Sequence, residues 1–183
     1  MLSLISKFIL FKIMKWKIVG EYPKDITKYV LIGLPHTSNY DFIIGLVIKF
    51  ALKVPINFIG KKSLFKFPFG LFFRAVGGVP VDRSKNEKVV DAVTKIFKSK
   101  ENFIFAVSPE GTRSKVSTWK TGFYYIAKQS NVPIVAMTFD FGKRQTEVFP
   151  TFYPTDNKEA DFNYLKSLFI GIEGKVKENS FEA

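Results

Sequence analysis

Cysteine is absent from the 183 residues and histidine occurs once, at position 36. A disulfide framework, a thiolate zinc site and a cysteine nucleophile are thereby excluded, and one imidazole leaves almost no nitrogen donors for a transition metal. The lack of disulfides fits a reducing compartment. Arginine is scarce as well: only Arg74, Arg83, Arg113 and Arg144 stand among the 28 bases. Base-edge reading in nucleic acids favours the arginine fork, and neither zinc-finger spacing nor a run resembling an RRM or KH motif is present, so no nucleic-acid partner is expected. Long apolar runs are missing too. In the opening MLSLISKFILFKIMKWKIV, lysines 7, 12, 15 and 17 stop every run at four residues, far short of the roughly 20 that span a bilayer. Nor does this segment show the basic start, continuous apolar middle and small cleavage site of a signal peptide.

What is present is a hydrophobic fraction of 46% and a net charge of +12. The first is enough apolar mass for a sizeable core in one domain, and the second calls for an anionic partner. The charge is uneven. Residues 1–80 hold twelve bases against Glu21, Asp25 and Asp41, whereas residues 140–183 hold eight acids and six bases. Phe58, Phe65, Phe67, Phe69, Phe72 and Phe73 interleave with Lys61, Lys62, Lys66 and Arg74, a mixture suited to a lipid headgroup layer or to a core helix with exposed lysines. On a helix, Leu2, Ile5, Ile9, Ile13 and Trp16 form one stripe. Residues 1–19 are therefore expected to form an amphipathic helix, lying in a membrane interface or docked on the domain's own core.

From residue 20 to residue 183 the pattern predicts a single α/β domain. Strands are expected at 29–34, 56–59, 78–81, 103–107, 133–139 and 147–152. Helices are expected over 42–52, from a capping box at Ser84–Glu87, over 122–129 and over 164–176. Short apolar strands alternating with helices imply a mostly parallel central sheet flanked by helices.

In such sheets, functional groups gather beyond the carboxyl ends of the strands. Three polar clusters fall there. His36 and Asp41 follow the first strand, at a spacing that lets a carboxylate at a helix start reach back to one ring nitrogen and leave the other as a base. Asp41 would serve equally as an N-terminal helix charge. Asp82 and Arg83 follow another strand. Glu110, Gly111, Thr112 and Arg113 follow a third, with Gly111 permitting a tight loop and Arg113 offering a fork for phosphate. Taken singly, each is also readable as a turn closed by a local ion pair.

Together, His36-x4-Asp41, Gly78-Val-Pro-Val-Asp-Arg83, Pro109-Glu-Gly-Thr-Arg-Ser114 and Val132-Pro-Ile-Val135 resemble, in order and spacing, the four motif blocks of the glycerophospholipid acyltransferases. Pro35, Ser108 and Ala136 depart from the residues usual in those blocks. The resemblance implies transfer of a fatty acyl group from acyl-CoA or acyl-carrier protein to the sn-2 hydroxyl of lysophosphatidic acid. No cofactor is implied beyond that thioester co-substrate. In this reading His36 is the general base, oriented by Asp41. Arg83 and Arg113, with Lys61 or Lys62 assisting, bind the acceptor phosphate. Glu110 contacts the glycerol or positions Arg113, and Gly111 and Thr112 shape the loop. An anionic membrane surface is the expected location, on its cytoplasmic face, with peripheral or monotopic attachment. Two other readings are another lyso-lipid acceptor, such as lyso-ornithine lipid, and a non-catalytic basic module for membrane or nucleic acid.

Overall fold

The computed structural model describes residues 1–81 and 89–181. The predicted capping box at Ser84–Glu87, together with Asp82 and Arg83, lies outside the described residues. In chain order the elements are helix α1 (Leu2–Phe8), continued by a π-helical turn (Ile9–Ile13), and strands β1 (Lys17–Val19) and β2 (Lys28–Leu34). Next come α2 (Asn39–Leu52), β3 (Ile56–Lys61), a 3-10 turn (Lys62–Phe65), α3 (Phe69–Ala75) and β4 (Gly78–Val81). The chain continues through α4 (Val89–Ser99), β5 (Phe103–Val107), α5 (Gly122–Ser130), β6 (Ile134–Thr138), β7 (Gln145–Glu147) and α6 (Lys158–Ser167).

Five strands form one sheet in the order β4-β3-β5-β2-β6, every pair parallel. Period-two alternation along the strands divides the core between the two faces. Val30, Ile32, Leu34, Phe103, Phe105, Ile134 and Ala136 pack with α4, α5 and α6 on one face. Tyr29, Leu31, Ile104, Val135 and Met137 pack with α2 and the amino-terminal segment on the other. The expected α/β architecture, helices on both faces of a parallel sheet, is the one observed.

Helix α2 begins at Asn39, ahead of the expected position 42, because Ser38 caps it. The Ser38 hydroxyl accepts the Tyr40 N–H at 3.2 Å and the Asp41 carboxylate accepts the Ser38 N–H at 2.8 Å, a reciprocal cap whose serine alone contributes about 1 kcal/mol. Helix α6 lies over 158–167 rather than 164–176. Its start is set by Asn157, whose side chain accepts the Ala160 N–H at 3.1 Å. Strand β7 covers 145–147 rather than 147–152, because its parallel partner β1 reaches only those residues. Val148 and Phe152 make isolated antiparallel bridges to Met137 and Ile134.

Of the expected stripe, the amino-terminal segment buries Trp16 and partly covers Ile9. Ser6, Leu10 and Trp16 are inside, while Leu2, Ile5 and Ile13 are exposed. The π turn advances the chain by more than an α turn per hydrogen bond, which breaks the 3.6-residue register, and Trp16 lies beyond the helix altogether. Ser3 Oγ donates to Ala51 O at 3.3 Å and Trp16 Nε1 to Thr146 Oγ1 at 3.0 Å, fastening the segment to α2 and to the β1–β7 pair. No helix among the described residues is long and apolar enough to cross a membrane.

Candidate active site

All five sheet strands are parallel, so the loops after β2, β3 and β5 leave the same edge. There the loop after β2 carries His36, which is followed at once by the cap of α2. The His36 Nδ1 lies 3.0 Å from Asp41 Oδ2, and that oxygen also accepts the Thr37 N–H at 2.7 Å and the Ser38 N–H at 2.8 Å. Asp41 is 2% exposed. An acceptor at Nδ1 selects the tautomer protonated there, leaving the Nε2 lone pair for a proton. His36 is half-buried and lines a cavity of about 770 Å³ running along this edge.

Glu110, in the loop after β5, is 3% exposed. Its Oε2 accepts the His36 N–H at 2.7 Å and the Ser108 hydroxyl at 3.2 Å. The carboxylate therefore ties the β5 loop to the backbone of the His36 loop, a task distinct from the glycerol or Arg113 contact expected of it. Burial raises its pKa above the ordinary carboxyl value, against the lowering effect of the His36 and Ser108 hydrogen bonds. A raised folded-state value means that ionisation works against folding, so this stabilising contribution is full at low pH and is lost as pH rises through the folded-state value. The stability of the wild type minus that of Glu110→Gln should accordingly fall with rising pH above the ordinary carboxyl range. Denaturant melts of both proteins from pH 4 to 7 measure it; a difference that grows with pH contradicts the assignment.

Gly111 has φ +64°, in the left-handed region, and a Cβ there would come within 2.7 Å of the Lys120 stem. Both demands favour glycine. Gly111, Thr112 and Arg113 line the cavity beside His36 and Lys120. Arg113 and Thr112 are solvent-exposed. Lys62 opens the 3-10 turn after β3, at the same edge. The side chains of Lys61 and Arg83 lie outside what is described.

Two cavity residues escaped the sequence reading. Lys120 adjoins Gly111, and its only sequence signal is the Trp119-Lys120-Thr121-Gly122 run. Lys49 sits two helical turns beyond Asp41 on the same face of α2, with Gly45 between them, and all three line the cavity. Its ammonium donates to Ile56 O and, at 2.9 Å, to Val76 O, while burial lowers its pKa. A single lysine within the otherwise apolar stretch 42–52 is the available signal. Much of the rest of the cavity lining is apolar, Leu46, Phe58, Val76 and Met137 included.

The acyltransferase family profile matches residues 17–140. The chain belongs to the acyltransferase family. A coconut (Cocos nucifera) protein named 1-acyl-sn-glycerol-3-phosphate acyltransferase is 33% identical over 85 residues, 43% of this chain and 28% of its own length. This chain thus spans about a quarter of the curated relative it matches. The crystal structure of the 1-acyl-sn-glycerophosphate (LPA) acyltransferase PlsC from Thermotoga maritima superposes with a TM-score of 0.63. That match has 19% identity and covers 91% of this chain and 76% of the other. It establishes the shared fold.

Proposed function

We propose that this acyltransferase moves a fatty acyl group from a thioester, acyl-CoA or acyl-carrier protein, to the sn-2 hydroxyl of lysophosphatidic acid, giving phosphatidic acid. One observation carries the reading: a histidine whose Nδ1 is held by a buried carboxylate stands at a largely apolar cavity whose lining includes Arg113. An alcohol of high pKa must lose its proton as it attacks the thioester carbonyl. His36 Nε2 takes that proton, and the Asp41 carboxylate stabilises the imidazolium that forms; as the tetrahedral intermediate collapses, the C–S bond breaks and the imidazolium returns its proton to the leaving thiolate. No acyl-enzyme is required, which agrees with the lack of cysteine and of a Gly-x-Ser-x-Gly elbow. The largely apolar lining of the cavity suits a fatty chain, and the names of the relatives support the acceptor. The test is a panel of purified protein, lysophosphatidic acid or lyso-ornithine lipid as acceptor, and acyl-CoA or acyl-carrier protein as donor. Phosphatidic acid as the main product supports the proposal; acylation of lyso-ornithine lipid alone would replace it.

Arg113 supplies charge-assisted hydrogen bonds to the acceptor phosphate. Arg113→Ala should raise KM for lysophosphatidic acid by about tenfold or more while changing kcat less. Initial rates with a phosphate-free monoacylglycerol should not change. Equal losses on both acceptors contradict a phosphate role.

The acceptor is a membrane lipid, and two exposed apolar surfaces support attachment to an anionic bilayer. Leu4 and Phe8 on α1 are 72% and 59% exposed, and Phe67 and Leu71 around α3 are 87% and 70% exposed. Neighbouring lysines complete an interfacial pattern. Because Leu10 and Trp16 belong to the core, substitution of the exposed residues is a cleaner test than deletion of the segment. A Leu4→Ser, Phe8→Ser, Phe67→Ser, Leu71→Ser variant should remain in the supernatant when phosphatidylglycerol vesicles are sedimented, whereas the wild type pellets. Equal pelleting of both contradicts these surfaces.

A further inference from the structure

Beyond α6 the chain returns to the active-site edge and crosses the loop that carries His36. Its two ends are fastened on one indole: Phe169 and Phe181, both buried, lie 5.7 and 5.2 Å from the Trp119 ring. Between these anchors, residues 172–180 form a strap with several direct ties. Glu173 O accepts the Phe141 N–H at 2.7 Å. The Val176 N–H donates to Thr37 Oγ1 at 3.1 Å. The Lys175 ammonium lies 5.3 Å from the Tyr40 ring centre and 5.8 Å from that of Phe141. Gly174 presses so closely on the loop that a Cβ there would stand 2.6 Å from Thr37 Cγ2 and 3.1 Å from Pro35 Cγ. The strap itself is braced by the Gly174 N–H, which donates to Ser180 Oγ at 2.9 Å.

Thr37 joins this strap to the reacting groups. It follows His36 directly and is 4% exposed. Its side chain is held by Val176, and its own N–H donates to the Asp41 oxygen that faces His36 Nδ1. A displacement of Thr37 is therefore felt at Asp41 and at the imidazole together. We propose that Thr37 and Val176 are positioning residues: the carboxy-terminal strap sets the geometry of the His36–Asp41 pair through the Thr37 hydroxyl. The consequence for catalysis rests on the acyl-transfer reading above, whereas the consequence for the imidazole does not.

The test exploits the single histidine of the chain, which makes every imidazole resonance in a nuclear magnetic resonance spectrum assignable to His36. Thr37→Val keeps the shape of the side chain and removes the acceptor, Thr37→Ser keeps the acceptor, and Val176→Pro removes the donor. In Thr37→Val the His36 Nδ1 proton signal should broaden or shift, and kcat should fall about tenfold with KM within twofold, the cost of a small misplacement of a reacting group. Thr37→Ser should restore both readouts. Thr37→Val combined with Val176→Pro should be no worse than the worse single variant, since both remove one bond. Measurements are made well below each variant's melting temperature. An unchanged His36 signal in Thr37→Val that still melts cooperatively overturns the proposal, as do effects of the two substitutions that simply add. A shifted signal in a protein that transfers no acyl group supports the strap and contradicts the functional reading instead.

Discussion

His36→Ala is expected to lower kcat by about 10²–10⁴-fold, the usual worth of a positioned general base, with KM for both substrates nearly unchanged. Among the described residues, the ring's hydrogen bond is the one to Asp41. The His36 side chain is 28% exposed, while the tie to Glu110 runs through the backbone N–H and survives substitution. The variant should therefore fold, with a cooperative melt near that of the wild type. Loss of activity with an intact melt separates a chemical role from a structural one. The Asp41 carboxylate left behind is buried; two backbone N–H groups still bond its Oδ2, while its Oδ1 has no hydrogen-bond partner among the described residues.

Asp41→Asn is expected to lower kcat by about 10⁴-fold, the scale seen when the carboxylate of a histidine–carboxylate pair becomes an amide. An asparagine carbonyl at the same place still accepts the Thr37 and Ser38 N–H groups, so the cap of α2 persists. What is lost is the negative charge beside the imidazolium. Asp41→Ala should differ in kind: it strips the acceptor from two N–H groups at a buried position, at roughly 1–3 kcal/mol each, and should lower the melting temperature as well as the rate. Comparing the two variants by kcat and by melting distinguishes charge from scaffold. Equal melting temperatures for the two would contradict the capping role.

Short continuous apolar runs made the sheet legible in advance. β2, β4 and β5 fall within a residue of their expected positions, because strands buried on both faces read as short continuous apolar runs. The parallel edge followed, and with it the meeting of the His36 and Glu110 loops. Less was visible where a local choice depended on a distant partner. β7 takes its length from β1, whose three residues carry no strand signal of their own. The burial of Leu10 and Trp16 depends on a π turn that no helical stripe announces. For Asp41 the sequence offers partner of His36 and N-terminal helix charge as alternatives; the structure joins them, since one oxygen faces His36 Nδ1 and caps α2. Glu110 was recognisable by type and place, but its backbone bond to His36 spans 74 residues and has no trace in spacing. The contacts of Thr37 with the carboxy-terminal strap, at a separation of 139 residues, were equally out of reach.

The most direct test of the account is the initial rate at which the purified chain transfers a labelled acyl group from a thioester to lysophosphatidic acid, measured beside His36→Ala. The account predicts labelled phosphatidic acid from the wild type, with the label at sn-2, and a rate at least about 10²-fold lower from the folded variant. A His36→Ala protein that turns over at the wild-type rate would contradict it.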